Sequence, residues 1–255
     1  MSAVSLILDF GNTRDKVAIF KSNKLNWRKT CAERLDLSGL RQICEEFKPE
    51  AAILSSTTED RQELRDWLNK NLQFLLLTHE TKVPFTNAYA SPATLGRDRI
   101  ALIAAARIHY PQGPVLVIDA GTCITYDLLD NQDVYHGGAI APGIWMRLQA
   151  MHTFTAKLPL VSLQNHLEKS QDSMAKVALI GDSTVHSMQS GALHGAAAEI
   201  DGIIDRYRAE FEGLNILLTG GDHITLVSLL KNRIFATRDL VPEGLNKILA
   251  YNVQG

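Results

Sequence analysis

The chain has 255 residues, 45% of them hydrophobic and 21% charged, an ordinary globular composition long enough for one large domain or two modest ones. A formal net charge of −2 supplies no field to draw in nucleic acid or an anionic membrane, and no apolar stretch approaches the roughly 20 residues that span a bilayer. Cys31, Cys44 and Cys123 are odd in number and widely spaced, and the chain reaches a strand and a charged turn within nine residues, so the expectation is a cytoplasmic protein with reduced thiols.

Three short apolar runs open the chain, Ser5–Leu8, Val17–Phe20 and Leu25–Arg28, separated by polar turns as in an antiparallel meander. Leu37, Leu40, Ile43, Cys44 and Phe47 fall on one helical face. A buried strand over 51–54, a helix over 59–70 and a further apolar run over 74–77 complete a β-β-β-α-β-α-β order. The alanine- and isoleucine-rich stretch 97–110 reads as a helix joining two halves, and Pro111-Gln112-Gly113-Pro114 as a hinge.

The order then repeats. Strands are expected at 115–118, 124–128 and 134–137, and a helix from about Ile144. Longer helical material follows at 184–211, then a strand at 216–218, a helix at 224–230 and a last short strand at 234–236. Alternating strands and helices with a mixed sheet place each half in the α/β class.

Two acidic turns sit at equivalent points of this duplication. Asp9-Phe10-Gly11-Asn12-Thr13 and Asp119-Ala120-Gly121-Thr122 each follow an apolar strand, 110 residues apart. Glycine lets backbone approach a phosphate, free N–H groups and hydroxyls cradle it, and the carboxylate holds a charge-neutralising cation. Two copies at matching places are far stronger evidence than one. Between them lies Gly96-Arg97-Asp98-Arg99. A carboxylate and guanidinium here suit phosphoryl transfer to a hydroxyl, the acid taking the proton and the arginine fixing an anionic acceptor. Taken alone, the tetrapeptide also describes a capped helix start with solvated arginines.

The duplicated pattern resembles the acetate kinase, sugar kinase, heat-shock protein 70 and actin superfamily, in which two ribonuclease-H-like domains close over ATP. The resemblance implies domains at 1–110 and 111–255 with the active site in the cleft between them. The ordered series is narrower still. It runs from Asp9–Thr13 with Lys16, through Tyr89 and Gly96–Arg99, to Asp119–Thr122. His136-Gly137-Gly138-Ala139-Ile140-Ala141-Pro142-Gly143 follows, then Gly181-Asp182-Ser183-Thr184 with Ser190-Gly191. This series looks like the type III pantothenate kinases over nearly the whole chain. No Gly-Lys-Ser or Gly-Lys-Thr phosphate loop is present, which argues against the P-loop type of pantothenate kinase.

That resemblance implies ATP-dependent phosphorylation of pantothenate at its 4′-hydroxyl, the first step of coenzyme A synthesis, by a cytoplasmic homodimer that engages neither nucleic acid nor membrane. It implies that Asp9, Phe10, Gly11, Asn12, Thr13, Arg14, Asp15 and Lys16 form the first ATP loop, with Asp9 organising Mg2+. Asp98 becomes the general base. Tyr89, Gly96, Arg97, Asp98 and Arg99 line the pantothenate site, joined by Thr184, in the family across a dimer interface. Asp119 would ligate a monovalent cation, K+ or NH4+, and Thr122 would contact ATP.

Several positions keep plainer readings beside these. Lys16 is equally a phosphate contact and a solvated turn lysine. Arg14 and Asp15 read as surface neighbours without a direct role, and Cys123 as a small buried filler. His186 and His194 lack the i, i+4 spacing of a helical metal pair. Trp145, Met146, Leu148 and Met151 read as core or subunit contact. Thr219-Gly220-Gly221-Asp222 either borders the adenine or merely connects strand to helix. The alternative to a kinase is a non-catalytic transcription accessory factor of the same family, for which loss of an acid, an arginine or a loop is expected. Asp9, Asp98, Arg99, Asp119 and Thr122 are all present.

Overall fold

The computed structural model describes residues 4–11, 14–56, 61–163 and 177–253. Asn12 and Thr13 of the first loop, and the expected helix start at Glu59, lie outside the described residues. Two compact units emerge: Met1–Pro111, Gln132–His136 and Asp239–Gly255 form one, and Gln112–Asn131 with Gly137–Arg238 the other.

In the first unit β1 (Val4–Phe10), β2 (Asp15–Lys21), β3 (Lys24–Thr30), β4 (Ala51–Ser56) and β5 (Gln73–Leu76) form a sheet of order β3-β2-β1-β4-β5. β1 runs antiparallel to β2 and parallel to β4. The two most continuous apolar runs, Leu6-Ile7-Leu8 and Ala52-Ile53-Leu54, take the interior positions, because such strands are covered on both faces. α1 (Leu37–Phe47) starts at Asp36, whose carboxylate accepts the Gly39 amide at 2.8 Å, and packs Leu40 and Ile43 inward. α2 (Gln62–Asn71) buries Leu64 and Leu68.

α3 (Arg97–His109) is buried continuously from Arg99 to Ala106. Its alanines admit a close neighbour. α7 (Leu240–Val253) places Gly244 so near the Ala101 carbonyl that a Cβ there would collide with it. The stretch expected to join two halves is therefore core of the first unit, capped by the last helix of the chain.

The second unit repeats the sheet. β7 (Val115–Ala120) is central, antiparallel to β8 (Cys123–Leu129) and parallel to β10 (Asn215–Thr219), which pairs in parallel with β11 (Phe235–Ala236). β9 (Val134–Pro142) lies beyond β8, so the order β9-β8-β7-β10-β11 matches the first sheet strand for strand. The opening residues of β9 belong to the first unit, where Val134 and Tyr135 pair with β6 (Thr86–Asn87). α4 (Ile144–Thr153), α5 (Thr184–Glu210) and α6 (His223–Val227) cover this sheet over a core that includes Ile118, Leu148, Ala196 and Ile200. Among the described residues no helix is long and apolar enough to cross a membrane.

Candidate active site

The first acidic turn is built on side-chain charge. Asp9 faces Lys16 across the β1–β2 ladder, with Nζ 3.6 Å from its carboxylate. Burial pushes the Asp9 carboxyl up, Lys16 only partly offsets this, and nearby Asp98 pushes it further. The two acids named from sequence therefore act on each other within one unit.

Asp15 corrects an expectation. It is no surface neighbour but fully buried, and its carboxylate accepts Arg34 at 2.9 Å, Arg61 at 2.6 and 3.0 Å, and the Leu35 amide at 2.8 Å. Burial alone would raise its pKa, but the hydrogen bonds from Arg61, Leu35 and Arg34 outweigh it and the net shift is downward. Arg34 also donates to the Gly11 carbonyl at 2.6 Å, and the Gly11 amide donates to the Arg14 carbonyl at 3.2 Å. Arg14 itself is exposed. Phe10 lies in the core with the Arg61 guanidinium 4.4 Å over its ring, so only its backbone faces the turn. Asp15 is the anchor from which the loop hangs.

Asp98 sits in the first turn of α3, where its Oδ1 accepts the Arg99 amide at 2.9 Å. A Cβ at Gly96 would strike that same oxygen, which explains the glycine. Arg97 reaches back to the Ser56 carbonyl at the end of β4. Arg99 is 5% exposed, with its guanidinium 5.5 Å over the Tyr89 ring, and Tyr89 stacks on Tyr135 at 6.1 Å. Gly96, Arg97, Asp98, Arg99 and Tyr89 are thus one cluster, and solvated arginines are not what the chain builds here.

The second acidic turn, in the other unit, is built on backbone. The Gly121 amide donates to the Cys123 carbonyl at 2.9 Å, and the Gly143 amide to the Thr122 carbonyl at 3.1 Å. A Cβ on Gly143 would meet the carbonyls of Gly121 and Thr122; one on Gly220, whose φ is +97°, would meet the Ala120 carbonyl and the Asp119 carboxylate. Thr122 is left exposed, and Cys123 is half-buried rather than enclosed. Asp222, which follows the turn after β10, has its carboxyl pushed up by burial. Behind the turn the Tyr126 hydroxyl donates to Glu199 at 3.0 Å and Arg147 grips the same carboxylate at 2.6 Å, tying α4 to α5.

Thr184 begins α5, exposed, one residue after the Ser183 cap that accepts the His186 amide. His186 bonds Asp182, and His194 bonds the Val177 carbonyl at 2.9 Å. Leu148 is core and Met151 packs beside it, whereas Trp145 and Met146 of the same helix are exposed.

The model of the family described as type III pantothenate kinase matches residues 5–206. A type III pantothenate kinase of Christiangramia forsetii is 43% identical over 250 residues, 98% of this chain and 99% of its own length. The chain belongs to the type III pantothenate kinase family. A solved Campylobacter jejuni protein described as a Baf family transcriptional activator is 23% identical, with a TM-score of 0.56 over 98% of this chain and 100% of that one. A glucokinase from an Antarctic psychrotroph is 12% identical, with a TM-score of 0.57 over the same shares of each chain. These likenesses, with the repeated sheet order, establish the duplicated ribonuclease-H-like fold of the sugar kinases.

Arg34, Arg61 and Thr125 join the two turns only in the folded chain. Arg34 and Arg61 lie 19 and 46 residues from the Asp15 they clamp, a pairing no local pattern announces. Thr125 stands opposite Asp119 in the β7–β8 register, on the same face, and its hydroxyl is buried without a hydrogen-bond partner. Its signal was its place three residues beyond Thr122.

Proposed function

We propose that the protein transfers the terminal phosphoryl group of ATP to the 4′-hydroxyl of pantothenate, giving 4′-phosphopantothenate for coenzyme A synthesis. The observation that carries this reading is the Asp98 cluster in a chain of this family. One carboxylate oxygen is fixed by the Arg99 amide, while Oδ2 has no hydrogen bond among the described residues. A carboxylate held this way is set to accept a hydroxyl proton as the phosphoryl group arrives, late in a loose transition state where a weak base suffices. Arg99, stacked on Tyr89 and pre-positioned by burial, supplies the planar fork that matches the substrate carboxylate. Arg97 holds the start of α3 to β4, keeping the base and the acceptor arginine in register.

The residues fit the cations such a reaction uses. Asp9 is a largely buried acid opposed by one lysine at 3.6 Å, a site that gains from a divalent ion. Asp119 with the orphaned Thr125 hydroxyl forms an oxygen donor pair suited to K+ or NH4+. When bound, these ions neutralise charge on the phosphates. Thr122, exposed at the tip of its turn, is assigned to the nucleotide, and the Asp9–Lys16 turn to its phosphates.

The exposed apolar side chains of Trp145, Met146 and Phe154, with Leu179 and Ile180 just ahead of Thr184, support a homodimer that brings Thr184 to the partner's substrate. ADP release measured with and without pantothenate, in K+ and in Na+, tests the reading. Pantothenate-dependent release that is faster in K+ is expected. No release with pantothenate in K+ would sink the reaction, and equal rates in the two salts would remove the Asp119–Thr125 assignment.

A further inference from the structure

We infer that Arg34 is a positioning residue for the phosphates of the nucleotide, acting through the Gly11 carbonyl, while Arg61 beside it serves the fold. The inference rests on the assignment of the Asp9–Lys16 turn to ATP and adds to it the group that aims the turn.

The two arginines meet Asp15 in different ways. Arg61 brings Nη1 and Nη2 to the carboxylate at 2.6 and 3.0 Å, donates to the Leu35 carbonyl at 3.1 Å and lies 4.4 Å over the Phe10 ring. Phe10 and Leu35 are both buried, so these contacts tie core to core. Arg34 donates from Nη1 to the Asp15 carboxylate at 2.9 Å and from the same atom to the Gly11 carbonyl at 2.6 Å. Its side chain is 46% exposed against 21% for Arg61. One arginine closes the interior; the other carries the charge of a buried acid out to the turn.

The Gly11 carbonyl matters because a phosphate-binding turn works by offering N–H groups, and a carbonyl oxygen aimed at the phosphates repels them. Gly11 is the first residue past β1, and its amide donates inside the turn to the Arg14 carbonyl at 3.2 Å. Arg34 takes the carbonyl. A peptide unit is planar, so the direction of that carbonyl sets the plane in which the chain leaves the strand. The backbone beneath Arg34 is held without its side chain. Leu35 donates its amide to Asp15 at 2.8 Å and accepts Arg61 at its carbonyl, and Asp36 caps α1. Loss of the Arg34 guanidinium therefore releases Gly11 while Asp15 keeps Arg61 as its counter-charge.

Steady-state kinetics with ATP and pantothenate varied separately, together with denaturant unfolding, test this on the full chain. Arg34→Gln should raise the KM for ATP about ten- to a hundredfold while the KM for pantothenate stays within about twofold. Its denaturant midpoint should stay near that of the unsubstituted chain, whereas Arg61→Gln should lower the midpoint clearly. Arg34→Lys should recover most of the loss, because both bonds come from Nη1, a single donor group that an ammonium can replace. An unchanged KM for ATP in Arg34→Gln, equal rises in both KM values, or a midpoint lowered as far as in Arg61→Gln would each overturn the inference. An unsubstituted chain that releases no ADP with pantothenate would sink the ATP assignment and this inference with it; normal turnover with an unaffected Arg34→Gln would sink the role of Arg34 alone.

Discussion

The Asp9 and Asp119 turns occupy the same place in matching sheets, each between a central strand and its antiparallel neighbour, yet different forces hold them. The first hangs from a buried ion cluster, Asp15 with Arg34 and Arg61, and its glycine carbonyl is tied down by the same Arg34. At the second, glycines at 143 and 220 let neighbouring backbone close against the turn. Duplication preserved strand order and the position of an acid, not the way the acid is supported. Side-chain clamps respond to pH and salt, whereas close backbone packing responds to added volume.

The largest effect is expected where the duplication has no counterpart. Asp98→Asn should lower kcat about 10²- to 10⁴-fold while ATP binding, followed by calorimetry, stays near normal. A variant with near-normal turnover would place the base elsewhere. Next come substitutions that set the two supports against each other. Asp15→Asn leaves two arginines facing a neutral group and should destabilise the fold by about 3–5 kcal/mol, read as a lower denaturant midpoint. Gly220→Ala, forced to φ +97° and into the Ala120 carbonyl, should cost about 2–4 kcal/mol. If Asp15→Asn proves harmless, the charge-clamp account of the first turn is wrong; a harmless Gly220→Ala does the same for the second.

The two acids of the first turn should also differ in sign. The Asp15 pKa is lowered in the fold, so its contribution is present above the ordinary carboxylate value near 3.8 and is lost as pH falls through the lowered value. Asp15→Asn should therefore flatten the acid limb of the stability profile. The Asp9 pKa is raised, so its contribution is present below the ordinary value and is lost as pH rises through the raised one. Ionised Asp9 weighs on the fold at neutral pH. Asp9→Asn should gain about 0.5–2 kcal/mol at pH 7 while losing turnover, and no gain there would show that ionised Asp9 does not weigh on the fold.

Much of this was legible in one sequence because the signals were local. The apolar runs gave the central strands, and the two acidic turns with the Gly96–Arg99 tetrapeptide gave the residues proposed for the site. What escaped was set by distant partners or by small size. Asp15 sits among charged neighbours and reads as surface until Arg34 and Arg61 arrive from other elements. α7 carries Pro242 and Gly244 in its first turns, which read as breakers; proline is tolerated there, and Gly244 is required by the Ala101 contact. β6 has two residues, too few to show an alternation, and β9 runs on past Gly137 and Gly138 where glycine signals an end.

The seating of Gly244 on Ala101 has a consequence for how the protein is made. α3 is synthesised early, but the helix that covers it comes from residues 240–253, after the whole of the second unit. On the ribosome the second unit has all its strands before the first can shut over its alanine-rich helix. The part of the molecule that starts first finishes last, and until then the face of α3 on which Gly244 sits stays uncovered.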